Sequence, residues 1–242
     1  MKLSFCIVFF SIFTISYSHE QADSSKTKLK ANGTISLNSN GIASIPAFSL
    51  DKPAIIASIT LAKNRFSYDP QLAYGLDFKA WFIDSWFHYK IVDKPHFEFR
   101  TGVNFSTFFS DNKVQDEAIR QAQRYFAIEL TGVYKLSPKS SLTFAYWNDR
   151  GQDKGTLKGH FFNLIGEKSE ISIGKNVLLS AALQLFYIDY EGNNDGLFIS
   201  PKISSSVRNA PVSIFFQPIQ AFYSNISPFP GFRWNLGLSY TL

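Results

Sequence analysis

Several long stretches of the chain alternate apolar and polar side chains residue by residue. Residues 66–78 place large apolar side chains at even positions and polar or small ones at odd positions. Residues 97–109 repeat this pattern with odd positions apolar, and residues 232–242 with even positions apolar. Because successive side chains of a β-strand point to opposite faces of the sheet, each stretch predicts a strand with one apolar and one polar face.

The predicted strands are long, roughly 10–14 residues, whereas strands of globular proteins are typically about five or six. A tilted strand that crosses a bilayer needs about nine to eleven. Aromatic residues lie near both ends of the apolar faces, as in Tyr68 with Phe78 and Trp81 with Tyr89, which is typical of the aromatic girdles at membrane interfaces. The pattern therefore predicts an all-β fold: a single transmembrane antiparallel up-and-down β-barrel.

The connections predict about twelve strands. Longer connections near residues 110–121, 151–156, 191–195 and 226–231 alternate with tight ones near 93–95, 137–140, 174–176 and 209–211, as the loops and turns at the two ends of such barrels do. The first strand is predicted near residues 42–50. Ten strands are the alternative, because this segment carries Pro46 and alternates poorly, and the region around Gly166 is irregular.

The N-terminal residues are predicted to lie outside the barrel. Residues 1–18 combine Lys2, an apolar run and small residues at Ser16 and Ser18, which indicates a secretory signal peptide; a membrane anchor is the weaker alternative, because the run is short for a span. The polar residues 19–40 are predicted to form a flexible periplasmic leader, and residues 41–242 the barrel. Cys6, the only cysteine, lies in the signal, so the mature chain has no thiol for a disulfide.

The C-terminus carries a second targeting motif. Asn235, Gly237, Tyr240 and Leu242 form the pattern polar–x–Gly–x–x–aromatic–x–apolar. It resembles the assembly signal of small outer-membrane β-barrel proteins of Gram-negative bacteria, although many members end in Phe. Residues 40–90 also resemble members of this porin-like group. The resemblance implies an outer-membrane location, contact with outer-membrane lipid, and the barrel assembly machinery and periplasmic chaperones as partners; it implies no activity.

Composition and motifs give little sign of other chemistry. The formal net charge is +5, and the charges are scattered without a nucleic-acid-binding motif, so no nucleic acid partner is expected. The four histidines lack metal-binding spacing, and His88 is expected to be a hydrogen-bonded lining residue. The charges of Asp149, Arg150 and Asp153 are expected to be solvated at a loop base. No catalytic residue, metal or cofactor is predicted, and the protein is not expected to be an enzyme.

The lumen is the best remaining candidate site. Strand parity places ten residues inward as possible solute contacts: Asp69, Asp77, Asp84, Trp86, His88, Glu98, Arg100, Trp147, Lys202 and Arg233. A mixed, aromatic lumen predicts a porin-like outer-membrane channel for small solutes, narrow or partly occluded, with weak selectivity because Glu98 could pair with Arg100. The alternatives are a non-conducting structural or surface-display barrel and, less favoured, a lipid-modifying enzyme within the barrel. The oligomeric state stays open.

Overall fold

The chain forms a closed barrel of twelve antiparallel strands in which each strand pairs with its neighbours in sequence and the first pairs with the last. This computed structural model describes residues 28–43, 45, 48–114, 117–226 and 231–242, with backbone only at 112–114 and 117–118. The strands are β1 (Lys30–Asn38), β2 (Ala54–Lys63), β3 (Phe66–Gly75), β4 (Ala80–Asp93), β5 (Phe97–Val114), β6 (Glu117–Ser137), β7 (Ser140–Gly151), β8 (Lys158–Ile173), β9 (Val177–Tyr190), β10 (Asn194–Val207), β11 (Val212–Ser224) and β12 (Phe232–Thr241). The all-β class, the up-and-down topology and the count of twelve are therefore confirmed, and the ten-strand alternative is wrong.

The two ends of the barrel differ. At one end, here called the turn end, β2 to β11 are joined pairwise by short links such as residues 64–65, 138–139 and 174–176, and β1 begins and β12 ends there. The other end, the loop end, carries longer connections such as 39–53, 152–157 and 225–231. The connection predicted at residues 110–121 is wrong in extent, because β5 and β6 continue to Val114 and from Glu117 as a long paired ribbon.

The first strand is β1 at Lys30–Asn38, earlier than the sequence predicts. It lies inside the stretch 19–40 that was predicted to be a leader, so that prediction is wrong for residues 30–38. The signal peptide predicted at residues 1–18 and the start of the leader lie outside the described residues and stay predictions. β1 presents only two large apolar side chains outward, Ile35 and Leu37, both more than 40% exposed, which explains why its pattern is weak in the sequence.

The segment predicted as the first strand is instead an inward-folded connection. The name inward segment is used here for the described residues of 39–53. Backbone hydrogen bonds join Gly41 to Leu50 and Lys52, and the Trp81 indole nitrogen donates to the Phe48 carbonyl oxygen at 2.7 Å. The Phe48 ring stacks on Phe108 at a centroid distance of 4.5 Å. The inward segment therefore occupies part of the lumen at the loop end.

The outer and inner surfaces of the barrel have opposite chemistry. Large apolar side chains cover the outer face of the barrel. Leu72, Phe105 and Leu183 are examples, and each is more than 40% exposed. Inward positions hold polar and aromatic groups, including the fully buried Phe161, Phe186 and Phe198, which project from β8, β9 and β10 and pack as one cluster. Among the described residues, no helix is long and apolar enough to cross a membrane.

One aromatic residue faces the opposite way from its predicted direction. Parity assigns Trp81 to the outer face, but its side chain is only 2% exposed. The register between β3 and β4 shifts between Ala73 and Tyr74, which pair with Phe82 and Ala80 and leave Trp81 unmatched. This β-bulge turns Trp81 inward, and there it holds the inward segment through Phe48.

The seam between β1 and β12 closes the barrel. Asn235, 3% exposed, donates from its amide nitrogen to the Asn38 side-chain oxygen at 2.9 Å and accepts from the Asn40 backbone N–H at 3.2 Å. Gly237 lies against the ring of Phe215, and a β-carbon there would overlap the ring atoms Cζ and Cε1. Two members of the predicted assembly motif thus also have structural roles at the seam, while its other two members, Tyr240 and Leu242, are exposed on the outer face.

Candidate functional site

A cavity of about 480 Å³ lies inside the barrel and is called the inner chamber. It is lined by residues of β2 to β7 together with Ile42, Ile45 and Phe48 of the inward segment. Four carboxylates line it: Asp69, Asp84, Glu129 and Asp149. Six of the ten residues that parity places inward are in this lining, namely Asp69, Asp84, Trp86, His88, Arg100 and Trp147. The volume lies within the range of about 300–1,000 Å³ that is typical of small-molecule sites.

A hydrogen-bonded charge network covers one part of the chamber wall. His88 Nδ1 lies 2.7 Å from Asp69 Oδ2, and His88 Nε2 lies 3.5 Å from Glu129 Oε1. Arg100 Nε donates to the same Glu129 oxygen at 3.2 Å, and the Trp147 indole nitrogen donates to Glu129 Oε2 at 2.8 Å. The network therefore compensates Asp69 and Glu129 with a cation and with neutral donors.

In the described part of the chain, the network lacks the contact between a serine hydroxyl and a histidine ring that a Ser–His hydrolytic site needs. The Ser67 hydroxyl donates to Asp69 Oδ2 at 2.8 Å, so the carboxylate, not the imidazole, is the partner of the hydroxyl. A serine nucleophile needs a base within hydrogen-bond reach of its own oxygen. The geometry instead fixes the His88 ring, which also stacks on Trp86 with an interplanar angle of 4°.

A pair of tryptophans adjoins this network. Trp86 of β4 and Trp147 of β7 lie with ring centroids 5.2 Å apart. Each is two residues from an aspartate on the same strand face, Asp84 and Asp149. Since β4 runs away from the loop end and β7 runs toward it, each aspartate lies on the loop-end side of its tryptophan. The two rings therefore lie between the compensated network and two further carboxylates.

Asp84 and Asp149 are compensated much less than Asp69 and Glu129. Within the described parts of the chain, neither takes part in an ion pair. Asp149 is 6% exposed and accepts from the Tyr190 hydroxyl at 2.5 Å. Asp84 has a buried oxygen, Oδ1, without a hydrogen-bond partner among the described residues. The prediction that Asp149 is a solvated loop charge is wrong, because the strand continues past it to Gly151 and turns its side chain inward.

A second cavity, of about 450 Å³, opens at the turn end and is called the turn-end cavity. Its charged lining consists of one carboxylate, Glu167, and four lysines: Lys135, Lys139, Lys168 and Lys202. The Lys202 ammonium nitrogen lies 4.3 Å from the centroid of the Phe215 ring, within cation–π range. The predicted lining residue Lys202 therefore belongs to this cavity and not to the inner chamber.

Three predicted lining residues have other surroundings. Asp77 lies in the turn between β3 and β4, where it pairs with Lys52 at 3.0 Å and is well exposed, so its predicted place in the lumen is wrong. Glu98 pairs with Lys90 at 2.8 Å. Arg233 pairs with Asp51 of the inward segment at 2.7 Å.

The predicted pairing of Glu98 with Arg100 is also wrong. Arg100 pairs across the strands with Glu129, which lies on β6. The reason is register: Gly102 faces Glu129 between β5 and β6, which brings that carboxylate within reach of the Arg100 side chain.

Several lining residues were missed by sequence reasoning. Glu129 is a single carboxylate between the outward side chains of Ile128 and Leu130, so alternation could have identified it. Asn104 was assigned to the polar face, but its burial to 3% exposure and its unpartnered oxygen, Oδ1, are tertiary features. Among the described residues, no group of three or more His, Cys, Asp and Glu side chains has a geometry suited to a metal ion.

Comparison with known proteins gives a similarity of fold. No family model and no curated protein matches the sequence. The structure is similar to the KdgM porin with a TM-score of 0.55 and 9% identity, over 86% of this chain and 98% of the porin. It is also similar to an outer membrane channel from Pseudomonas putida F1 with a TM-score of 0.52 and 11% identity, over 92% of this chain and all of the channel. The chain therefore has the fold of small outer-membrane β-barrels.

Proposed function

We propose that the protein is a narrow outer-membrane channel for small solutes, without catalytic activity. The observation that carries this proposal is a closed barrel whose interior holds polar and charged cavities of about 480 and 450 Å³. Apolar side chains cover the outer face of the barrel, and such an extensive exposed apolar surface fits lipid better than water. The similar folds of a porin and a channel support the proposal.

The lumen is proposed to be narrow because two groups of side chains fill part of it. The inward segment packs through Phe48 against Phe108 and Tyr125. On the opposite wall, the buried cluster that contains Phe161, Phe186 and Phe198 occupies the interior. Barrels of about eight strands are filled by side chains and barrels of sixteen leave an aqueous channel, so a partly filled twelve-stranded barrel fits small conductances.

Recording from the purified protein in a planar lipid bilayer tests the proposal. We expect small, discrete current steps in concentrated KCl. The second candidate function is a non-conducting structural barrel, which the packing of the inward segment favours. Folded protein that inserts without any current steps would reject the channel and support that candidate. Folding is checked independently by the change in gel mobility of unboiled samples.

The outer-membrane location and the partners are parts of the same proposal. Lipid is expected to contact the apolar outer face, and the assembly machinery is expected to bind the C-terminal motif. Cell fractionation checks the location: recovery of the mature protein as a soluble periplasmic species would contradict it.

A further inference from the structure

A row of four inward residues crosses the wall of the inner chamber from Trp86 to Asp149. In the strand register, Trp86 of β4 lies opposite Asn104 of β5, Asn104 opposite Ala127 of β6, and Ala127 opposite Asp149 of β7. All four residues line the inner chamber. The row therefore has an aromatic ring at one end, a carboxylate at the other, and the uncharged side chains of Asn104 and Ala127 between them.

The next inward row toward the loop end also has a carboxylate on β4. Asp84 lies opposite Ser106, and both line the inner chamber. The chamber therefore contains two carboxylates without ion-pair partners among the described residues, Asp84 and Asp149, from strands on either side of β5 and β6. Charged groups in a confined and poorly hydrated space favour an ion of opposite sign.

A second, independent observation also points to a ligand. Asn104 is 3% exposed, lines the chamber, and has a side-chain oxygen without a hydrogen-bond partner among the described residues. Asp84 Oδ1 is likewise buried and unpartnered. Buried polar atoms in folded proteins are nearly always satisfied. The Asn104 oxygen is an acceptor, and so is Asp84 Oδ1 when its carboxyl group is ionised, so a hydrogen-bond donor or a cation would satisfy both atoms.

The aromatic lining selects the class of cation. Trp86, Trp147, Phe48 and Phe108 all line the chamber. Tryptophan ring faces attract ammonium groups, and pockets of aromatic rings and carboxylates recognise organic cations. Ca²⁺ takes six to eight oxygen ligands, but no group of three or more His, Cys, Asp and Glu side chains in the described part of the chain is arranged to hold a metal ion. We propose that the inner chamber binds a small organic ammonium cation, held by Asp84 and Asp149 and packed against Trp86 and Trp147.

This inference rests on one part of the proposed function, namely that solutes can enter the chamber from at least one end of the barrel. Binding does not require passage through the whole barrel. A chamber that binds the cation in a barrel that conducts no current would reject the channel and leave this inference intact.

Calorimetric titration of the purified protein in detergent micelles tests the inference. Choline is the probe, and 3,3-dimethyl-1-butanol is its neutral analogue of nearly the same shape. At constant ionic strength we expect saturable choline binding and at least about tenfold weaker binding of the alcohol, because the positive charge drives the interaction. Equal affinity for the two compounds, or no saturable binding of choline, would overturn the inference.

Two variants test the site itself. Asp84→Asn and Asp149→Asn preserve shape and remove the charge, and each is expected to weaken choline binding by roughly tenfold or more. Glu167→Gln removes a carboxylate from the turn-end cavity and is the matched control, expected to bind as the parent does. If all three variants weaken binding equally, the overall charge and not the chamber attracts choline, and the inference fails. Tighter binding of Ca²⁺ than of choline would also overturn it, in favour of a metal site.

Discussion

Replacing Gly237 with alanine distinguishes a packing role from a targeting role in the C-terminal motif. A β-carbon at this inward position would overlap ring atoms of Phe215 and lie 2.9 Å from the Leu37 carbonyl oxygen. The Phe215 ring has little room to move, since it is 6% exposed and has the Lys202 ammonium 4.3 Å from its centroid. Overpacking of this kind typically costs about 1–3 kcal/mol. Gly237→Ala should therefore lower the free energy of unfolding by about that amount.

Urea unfolding of protein refolded into lipid vesicles measures this loss in the absence of any assembly machinery. The matched control is Gly166→Ala in β8, where a β-carbon would meet no atom within 4 Å. Alanine there should be neutral or stabilising by up to about 1 kcal/mol, because glycine is unfavourable inside a strand. If Gly237→Ala unfolds at the same urea concentration as the parent but accumulates poorly in cells, Gly237 acts only as a recognition signal and the packing argument is refuted.

Three further predictions concern the outer face, the lumen charge and the inward segment. Tyr240→Asp should reduce the amount of folded protein in membranes, because it places a charge on the lipid face; normal levels on unboiled gels would count against the outward assignment. Arg100→Glu should move the reversal potential in a salt gradient toward cation selectivity while Phe97→Leu, on the outer face, leaves it unchanged; equal shifts would show that one assignment is wrong. Trp81→Phe removes the hydrogen bond to the Phe48 carbonyl oxygen. A net loss of about 0.5–1.5 kcal/mol should make brief current openings roughly two to thirteen times more frequent; an unchanged opening frequency would mean that this bond does not hold the inward segment.

Alternation along single strands was sufficient to predict the barrel and many inward residues. The period of two follows directly from strand geometry, so Asp69 and Arg100 could be placed on the inner face without knowledge of their neighbours. The rule fails where the period itself breaks. At Trp81 a bulge inserts one residue and reverses the side chain, and nothing in the local sequence marks the bulge.

Partners across strands could not be predicted in the same way. The pairing of Arg100 with Glu129 depends on the register between β5 and β6, and the alternation of each strand leaves that register undetermined. The inward segment was mistaken for a strand because it is apolar, as a lipid-facing strand also is. Its side chains are apolar for a different reason: Ile42 and Ile45 pack against the buried cluster inside the barrel.

The pairing of charges changes how selectivity in this lumen should be understood. Arg100 and Arg233 were predicted to line the lumen as possible solute contacts, but each pairs with a carboxylate. Among the described residues, two groups of less compensated charge are separated along the barrel: Asp84 and Asp149 in the inner chamber, and the lysines of the turn-end cavity, which outnumber Glu167 even though Lys139 pairs with Glu170. An ion of either sign that crosses the barrel meets one favourable and one unfavourable region. Since both regions contribute to the same reversal potential, a value near zero is the expected sum of two opposed fields and does not indicate a neutral lumen.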